Sequence, residues 1–193
     1  WDRTVVIFTT DHGMSLGEHN RTGKSNINKD DDRRWPLYPE VAHIPFLIAA
    51  PNVPGGRTVD LLAQPADILP TLIELNGADV EAPAPFHGRS FAAALRGEEQ
   101  DAIHAHAICG CFLRTDEGEV PTTASTPVLY TERWAYAPVG PGGERELFDL
   151  KSDPYAEENV AGEHPDIVTD LHAKLVAWLE EIGAPDEAVE PFA

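Results

Sequence analysis

The chain of 193 residues contains two cysteines, one methionine and 14 lysines and arginines against 33 acidic residues. No apolar run approaches the ~18 residues needed to cross a bilayer, so no membrane-spanning helix is expected. The shortage of positive charge leaves a formal net charge of −19. Such a surface repels nucleic acid and anionic lipid and favours solubility. Cys109 and Cys111 stand two apart in a strand-like run, so they share one face and are poorly placed to bridge each other. They read as buried free thiols, which behave as small hydrophobes. His104 and His106 precede them, but His-x-His-x-x-Cys-x-Cys does not match the ligand spacing of a tetrahedral zinc knuckle. The redox compartment is left open. Internal repeats and low-complexity tracts are also missing.

What the chain does have is concentrated near its beginning. Thr4 to Phe8 is an apolar run that ends in Thr9-Thr10-Asp11-His12-Gly13. An uninterrupted apolar run is expected of a strand buried on both faces in a parallel sheet. At the C-terminal end of such a strand, side chains enter the crevice where open α/β sheets bind ligands. Asp oxygen and neutral His nitrogen are both metal donors, and Gly13 is expected to allow the tight turn that presents them. The bland alternative is an Asx-type turn capping a core strand. A parallel strand needs neighbours on both sides, so a chain opening on one has the pattern expected of a fragment.

The following loop, MSLGEHNRTGKSN, carries His19, Arg21 and Lys24. Five of the 14 basic residues, Arg21, Lys24, Lys29, Arg33 and Arg34, lie within residues 21–34, where three aspartates reduce them to a net charge of +2. An exposed insertion is expected over residues 26–38. Further on, Ile44 to Ala50 reads as a buried strand, and Pro51 to Gly56 as a turn cluster. Gln64 to Asn76 reads as a helix, with Pro65 in the first turn, Asp67 near the N-terminus and Gly77 at the C-cap. A short helix follows over Phe91 to Leu95. Beyond Gly97 the pattern changes to strands, His104 to Leu113, Val128 to Val139 and Arg145 to Leu150. A last helix, Pro165 to Ile182, carries a stripe of Ile167, Leu171, Leu175, Trp178, Leu179 and Ile182 and stops at Gly183. Residues 1–100 are therefore expected to be an α/β unit holding the metal-type loop 11–24, and residues 101–193 a small α+β subdomain.

Read in order, five segments resemble the sulfatases of the alkaline phosphatase superfamily. They are Asp11-His12-Gly13 with Gly23-Lys24, Ile44 to Pro51, Asp67-Ile68-Leu69-Pro70-Thr71, Gly88-Arg89-Ser90, and Glu146-Leu147-Phe148-Asp149-Leu150 with Asp153-Pro154 and Glu158-Asn159. The resemblance covers the C-terminal part of such an enzyme. It implies an α/β fold: the C-terminal part of an alkaline-phosphatase-like α/β sandwich, followed by a small antiparallel sheet and a C-terminal helix. It also implies metal-assisted hydrolysis of sulfate esters, with Asp11 and His12 as metal ligands and Lys24 as a sulfate contact. His19 is a candidate acid or substrate contact. His43 stands where the family often has Arg, which puts a substrate role for it in doubt. His87, His164 and His172 read as surface residues.

The implied cofactor is one divalent metal. Calcium comes first, while the imidazole donor keeps manganese and zinc as alternatives. The family's nucleophile is a formylglycine matured from Cys-x-Pro-x-Arg or Ser-x-Pro-x-Arg, and no such motif is present. Ser125-Thr126-Pro127-Val128-Leu129 has Leu, and Ser152-Asp153-Pro154-Tyr155-Ala156 has Ala, where Arg should stand. Asp31-Asp32 imitates the family's upstream aspartate pair but follows no apolar strand. The implied partners are a small-molecule or carbohydrate sulfate ester and the missing N-terminal part of the same enzyme. By itself the chain is expected to be inactive. A phosphodiester or phosphonate monoester hydrolase of the same superfamily, or a non-catalytic fragment acting as an interaction domain, are the alternatives. Aryl sulfates, sulfated sugars and choline-type esters are all compatible substrates.

Overall fold

A computed structural model describes residues 2–24, 36–80, 85–110 and 127–192. The expectations for Lys29, Asp31, Asp32, Arg33, Arg34, Cys111, Ser125 and Thr126 lie outside them. In chain order the strands and helices are β1 (Val6–Thr9), β2 (Ser15–Leu16), β3 (Thr22–Gly23), α1 (Pro39–Ala42), β4 (Phe46–Ala49), α2 (Ile68–Leu75) and α3 (Ala92–Arg96). They continue with β5 (Ala107–Cys109), β6 (Val128–Tyr130), β7 (Trp134–Ala137), β8 (Glu146–Asp149), α4 (Pro165–Glu181) and α5 (Asp186–Val189). The chain divides into two compact units, residues 1–10 with 45–107 and residues 11–44 with 108–193.

In the first unit β1 and β4 pair antiparallel, with Phe8 opposite Leu47 and Val6 opposite Ala49. Side chains alternate along a strand, so Val6, Phe8, Leu47 and Ala49 share one face while Phe46 and Ile48 share the other. The second face is covered. Phe46 and Ile48 pack on Phe91, Leu95 and Ile103, and the Phe46 and Phe91 rings meet edge to face at 5.9 Å. The first face is bare, with Phe8 64% and Leu47 60% exposed. This corrects the expectation of a strand buried on both faces by parallel neighbours. The apolar run is real, but only one packing layer is present among the described residues.

Asp67, fully buried, organises the rest of this unit. Its carboxylate accepts from the backbone N–H of Gln64 at 2.7 Å, from that of Arg89 at 2.7 Å, and from His104 Nε2 at 2.8 and 3.0 Å. Thr71 Oγ1 donates to the Asp67 carbonyl and accepts from the Phe91 N–H. Gly88 lies against the Ala66 carbonyl, where a Cβ would collide. The Asp-x-x-Pro-Thr and Gly-Arg-Ser signatures are thus two halves of one clasp, and His104 belongs to it rather than to a metal knuckle.

In the second unit β5 to β8 form a four-stranded sheet in the order β5-β6-β7-β8. Leu129, Tyr136 and Leu147 from the sheet pack on Val168, Leu171, Leu175 and Leu179 from α4. The predicted stripe is therefore right in period. The helix turns slightly from it: Val168 is buried, whereas Ile182 is 39% exposed. Gly183, at φ 69°, ends α4, and the Ala184 N–H closes on the Leu179 carbonyl at 2.9 Å. His172, expected at the surface, instead bridges the unit, with Nδ1 2.8 Å from the Tyr136 hydroxyl and Nε2 2.7 Å from the Phe192 carbonyl. The closing Glu-Leu-Phe-Asp-Leu segment is also structural. Arg133 grips Asp149 with two nitrogens, and the Asn159 amide accepts from Leu147 N–H while donating to the Arg145 carbonyl.

The clasp around Asp67 yields a direct test. Asp67→Ala leaves His104 and two backbone N–H groups without their buried acceptor, so it should cost about 3–5 kcal/mol in urea unfolding. Asp67→Asn, which keeps one acceptor oxygen, should cost less.

Candidate functional site

The chain leaves β1 at Thr9 and places Asp11 and His12 at the start of the second unit. Asp11 is exposed, its side chain at 81%, while that of His12 is at 30%. His12 Nδ1 lies 2.7 Å from the Gly13 carbonyl, so in the neutral ring this nitrogen carries the hydrogen and Nε2 the lone pair. Nε2 lies 3.3 Å from Asp11 Oδ2. In that tautomer the Nε2 lone pair and the Asp11 carboxylate oxygen lie on the same side as two potential donors. Two donors of one ion, at bond lengths of about 2.0–2.6 Å, stand roughly 3 Å apart, so this pair fits a divalent metal. Among the described residues no group of three or more His, Cys, Asp or Glu side chains could hold a metal, so the pair is at most part of a shell.

Gly13 serves a different purpose from the one expected. Its N–H donates to the Val41 carbonyl at 2.9 Å, and a Cβ there would fall inside the Glu40 carbonyl. Close approach to α1, and not an unusual φ, is what requires glycine. From Gly13 the chain runs into a hairpin with Ser15 opposite Gly23 and Leu16 opposite Thr22. That register returns Lys24 beside Met14, two residues from His12, with its side chain exposed. The Gly-Lys pair a dozen residues after the metal-type pair therefore lies at the end of the returning strand of this hairpin.

Sequence reasoning missed the group beneath this loop. Glu40, in α1, has Oε1 2.9 Å from Ser15 Oγ and 2.9 Å from His19 Nδ1. The second nitrogen of His19, Nε2, is 2.8 Å from the Ala156 carbonyl, and the ring stacks on Tyr38 at 3.7 Å and 6°. The structure thus places His19 with both nitrogens bonded and its side chain 11% exposed. Tyr38, at the end of the segment expected to be an exposed insertion, is buried and donates to Glu146 Oε2 at 2.8 Å. His43 caps the C-terminus of α1, its N–H on the Pro39 carbonyl. No periodicity marks these residues, because an acid in the first turn of a four-residue helix reads as an ordinary cap. Cys109 is half-buried, and burial pushes its thiol up to about 12, which leaves it inert.

Burial raises the Glu146 carboxyl above its ordinary range, and the Tyr38 hydroxyl that donates to it opposes the shift only in part. Burial, with the Glu146 charge behind it, also pushes the Tyr38 hydroxyl well up. The folded chain holds the Glu146 proton more tightly than the unfolded chain does. The resulting cost in stability is absent below the ordinary carboxylate range and grows as pH rises through it. Glu146→Gln keeps an acceptor for Tyr38, so its stability relative to the parent should rise as pH rises above the ordinary carboxylate range in urea unfolding. A difference independent of pH would contradict this.

Comparison with known proteins places the chain in a family. The family model described as N-sulphoglucosamine sulphohydrolase, C-terminal, matches residues 30–182. Arylsulfatase K of Xenopus laevis is 30% identical over 181 residues, covering 90% of this chain and 31% of that protein. The structure of a 2-O GAG sulfatase superposes with a TM-score of 0.73 at 27% identity, covering 93% of this chain and 37% of that one. A phosphonate monoester hydrolase of Agrobacterium radiobacter gives a TM-score of 0.72 at 26% identity, covering 94% and 36%. The chain therefore spans about a third of the length of the relatives it matches. It has the alkaline-phosphatase-like α/β architecture of these structures, and it belongs to the sulfatase family, matching the family's C-terminal part.

Proposed function

We propose that this chain supplies half of the active site of a metal-dependent sulfate ester hydrolase. The observation that carries the reading is the convergence of Asp11 Oδ2 and His12 Nε2 at 3.3 Å just beyond β1. Asp11 and His12 are two ligands of one divalent cation, with calcium first and manganese or zinc as alternatives for a site with one imidazole. Such a cation, when bound, neutralises negative charge gathered on a nucleophile and on sulfate oxygens. Lys24, directly after the returning strand of the hairpin, holds the sulfate group as a mobile point charge. The −19 net charge makes such a local cation necessary, since the surface as a whole repels an anionic ester.

The nucleophile, a formylglycine, and the remaining metal ligands come from the upstream part of the enzyme. The bare face of Val6, Phe8 and Leu47 supports this: a second packing layer belongs there. A sulfated carbohydrate is the first substrate class to test, given what the 2-O GAG sulfatase acts on by name. The likeness to a phosphonate monoester hydrolase favours a second reading, in which the same donors serve a phosphonate ester.

The 193-residue chain alone should show no turnover of p-nitrophenyl sulfate. Joined to its upstream coding sequence, it should hydrolyse sulfate esters with metal-dependent turnover, and Lys24→Ala should lower that by about 10²–10³-fold. Metal-dependent turnover by the chain alone, abolished by Lys24→Ala, would overturn the half-site. Faster turnover of a phenylphosphonate ester than of the sulfate would favour the second reading.

A further inference from the structure

The bend between β2 and β3 is backbone that does not hold itself. His19 and Asn20 are consecutive non-glycine residues in the left-handed region, at φ 52° and 57°. The hairpin contributes only two residue pairs, and Leu16 at its rim is 75% exposed. Conformations of this kind persist where the surroundings over-determine them. Here the surroundings are specific. The His19 ring donates to Glu40 Oε1 on one side, faces the Ala156 carbonyl on the other, and stacks on Tyr38. Both ring nitrogens therefore have a partner, one from α1 and one from the backbone at residue 156. Ser15 Oγ shares the same Glu40 oxygen, and the Gly13 N–H is fixed one residue further along α1. The loop therefore touches α1 at three points, residues 13, 15 and 19.

We propose that His19 is a positioning residue with Glu40 as its seat. The pair holds the 13–24 hairpin against α1 and so fixes where Lys24 stands relative to Asp11 and His12. A role for His19 as an acid or as a substrate contact does not suit a ring bonded at both nitrogens and largely closed to solvent. The consequence for catalysis rests on the reading of Lys24 given under Proposed function, whereas the tether itself does not.

The test compares His19→Gln, His19→Ala, Glu40→Gln and Glu40→Ala in the purified chain by amide hydrogen exchange. A lost hydrogen bond to a charged group should raise exchange at residues 15–23 on the order of tenfold or more, while β7 and β8 keep the parent rates. Glu40→Gln, which retains an oxygen for Ser15 and His19, should recover much of the protection lost in Glu40→Ala. His19→Ala and Glu40→Ala combined should do little more than either alone. In the chain joined to its upstream sequence, His19→Gln should lower kcat with both limbs of the pH–rate profile intact. Unchanged exchange at residues 15–23 in His19→Ala would overturn the tether. So would loss of one limb of the pH profile with exchange unchanged, since His19 would then be an acid or base. If exchange rises as expected but Lys24→Ala leaves turnover unchanged, the tether stands and the sulfate-contact reading fails.

Discussion

A single carboxylate oxygen, Glu40 Oε1, receives both the Ser15 hydroxyl and the His19 ring, and the backbone beneath it receives Gly13. A largely buried charge is tolerated only when its hydrogen-bonding capacity is met, and removing one partner leaves a penalty that the rest of the cluster must absorb. Tyr38 extends the cluster: its ring supports His19 and its hydroxyl ends on Glu146. A short strand pair with exposed apolar residues at its rim is thereby given one position. The proposed half-site of Asp11, His12 and Lys24, spread over fourteen residues of sequence, depends on that position.

The other family signatures turn out to concern support and not chemistry. Asp67 gathers its own helix N-terminus, the Gly-Arg-Ser turn and His104 around one buried carboxylate. The closing Glu-Leu-Phe-Asp-Leu segment contributes Leu147 to one core, Phe148 to another, and Glu146 to the Tyr38 contact. Buried polar groups met by several elements at once specify an arrangement more sharply than apolar packing of the same size. That is a physical reason for such short motifs to keep their order along the chain.

Much of the fold was legible in the sequence. The period of α4 and its stop at Gly183, the helix after Pro65, and the change to antiparallel strands beyond Gly97 all rest on local rules. Donors at the end of an apolar strand also carry a recognisable pattern, which is what singles out Asp11 and His12 as candidates. What escaped was long-range. Glu40 meets residues 21 and 25 positions away, and His19 meets a carbonyl 137 positions away. His172 shows the same limit, a polar residue drawn inside by a tyrosine hydroxyl and the Phe192 carbonyl. The bare face of β1 shows the converse. Composition revealed two apolar faces, but it could not tell which of them the chain itself would cover.

The central claim is that Asp11, His12 and Lys24 are held as one cation-dependent half-site. Paramagnetic broadening of amide signals by manganese(II), titrated into the chain, reads this most directly, because it reports weak binding residue by residue. Broadening should centre on residues 11–13 and reach residues 22–24 across the hairpin, and Asp11→Asn should remove it. Broadening spread over the acidic surface, with no preference for these residues and no response to Asp11→Asn, would contradict the account.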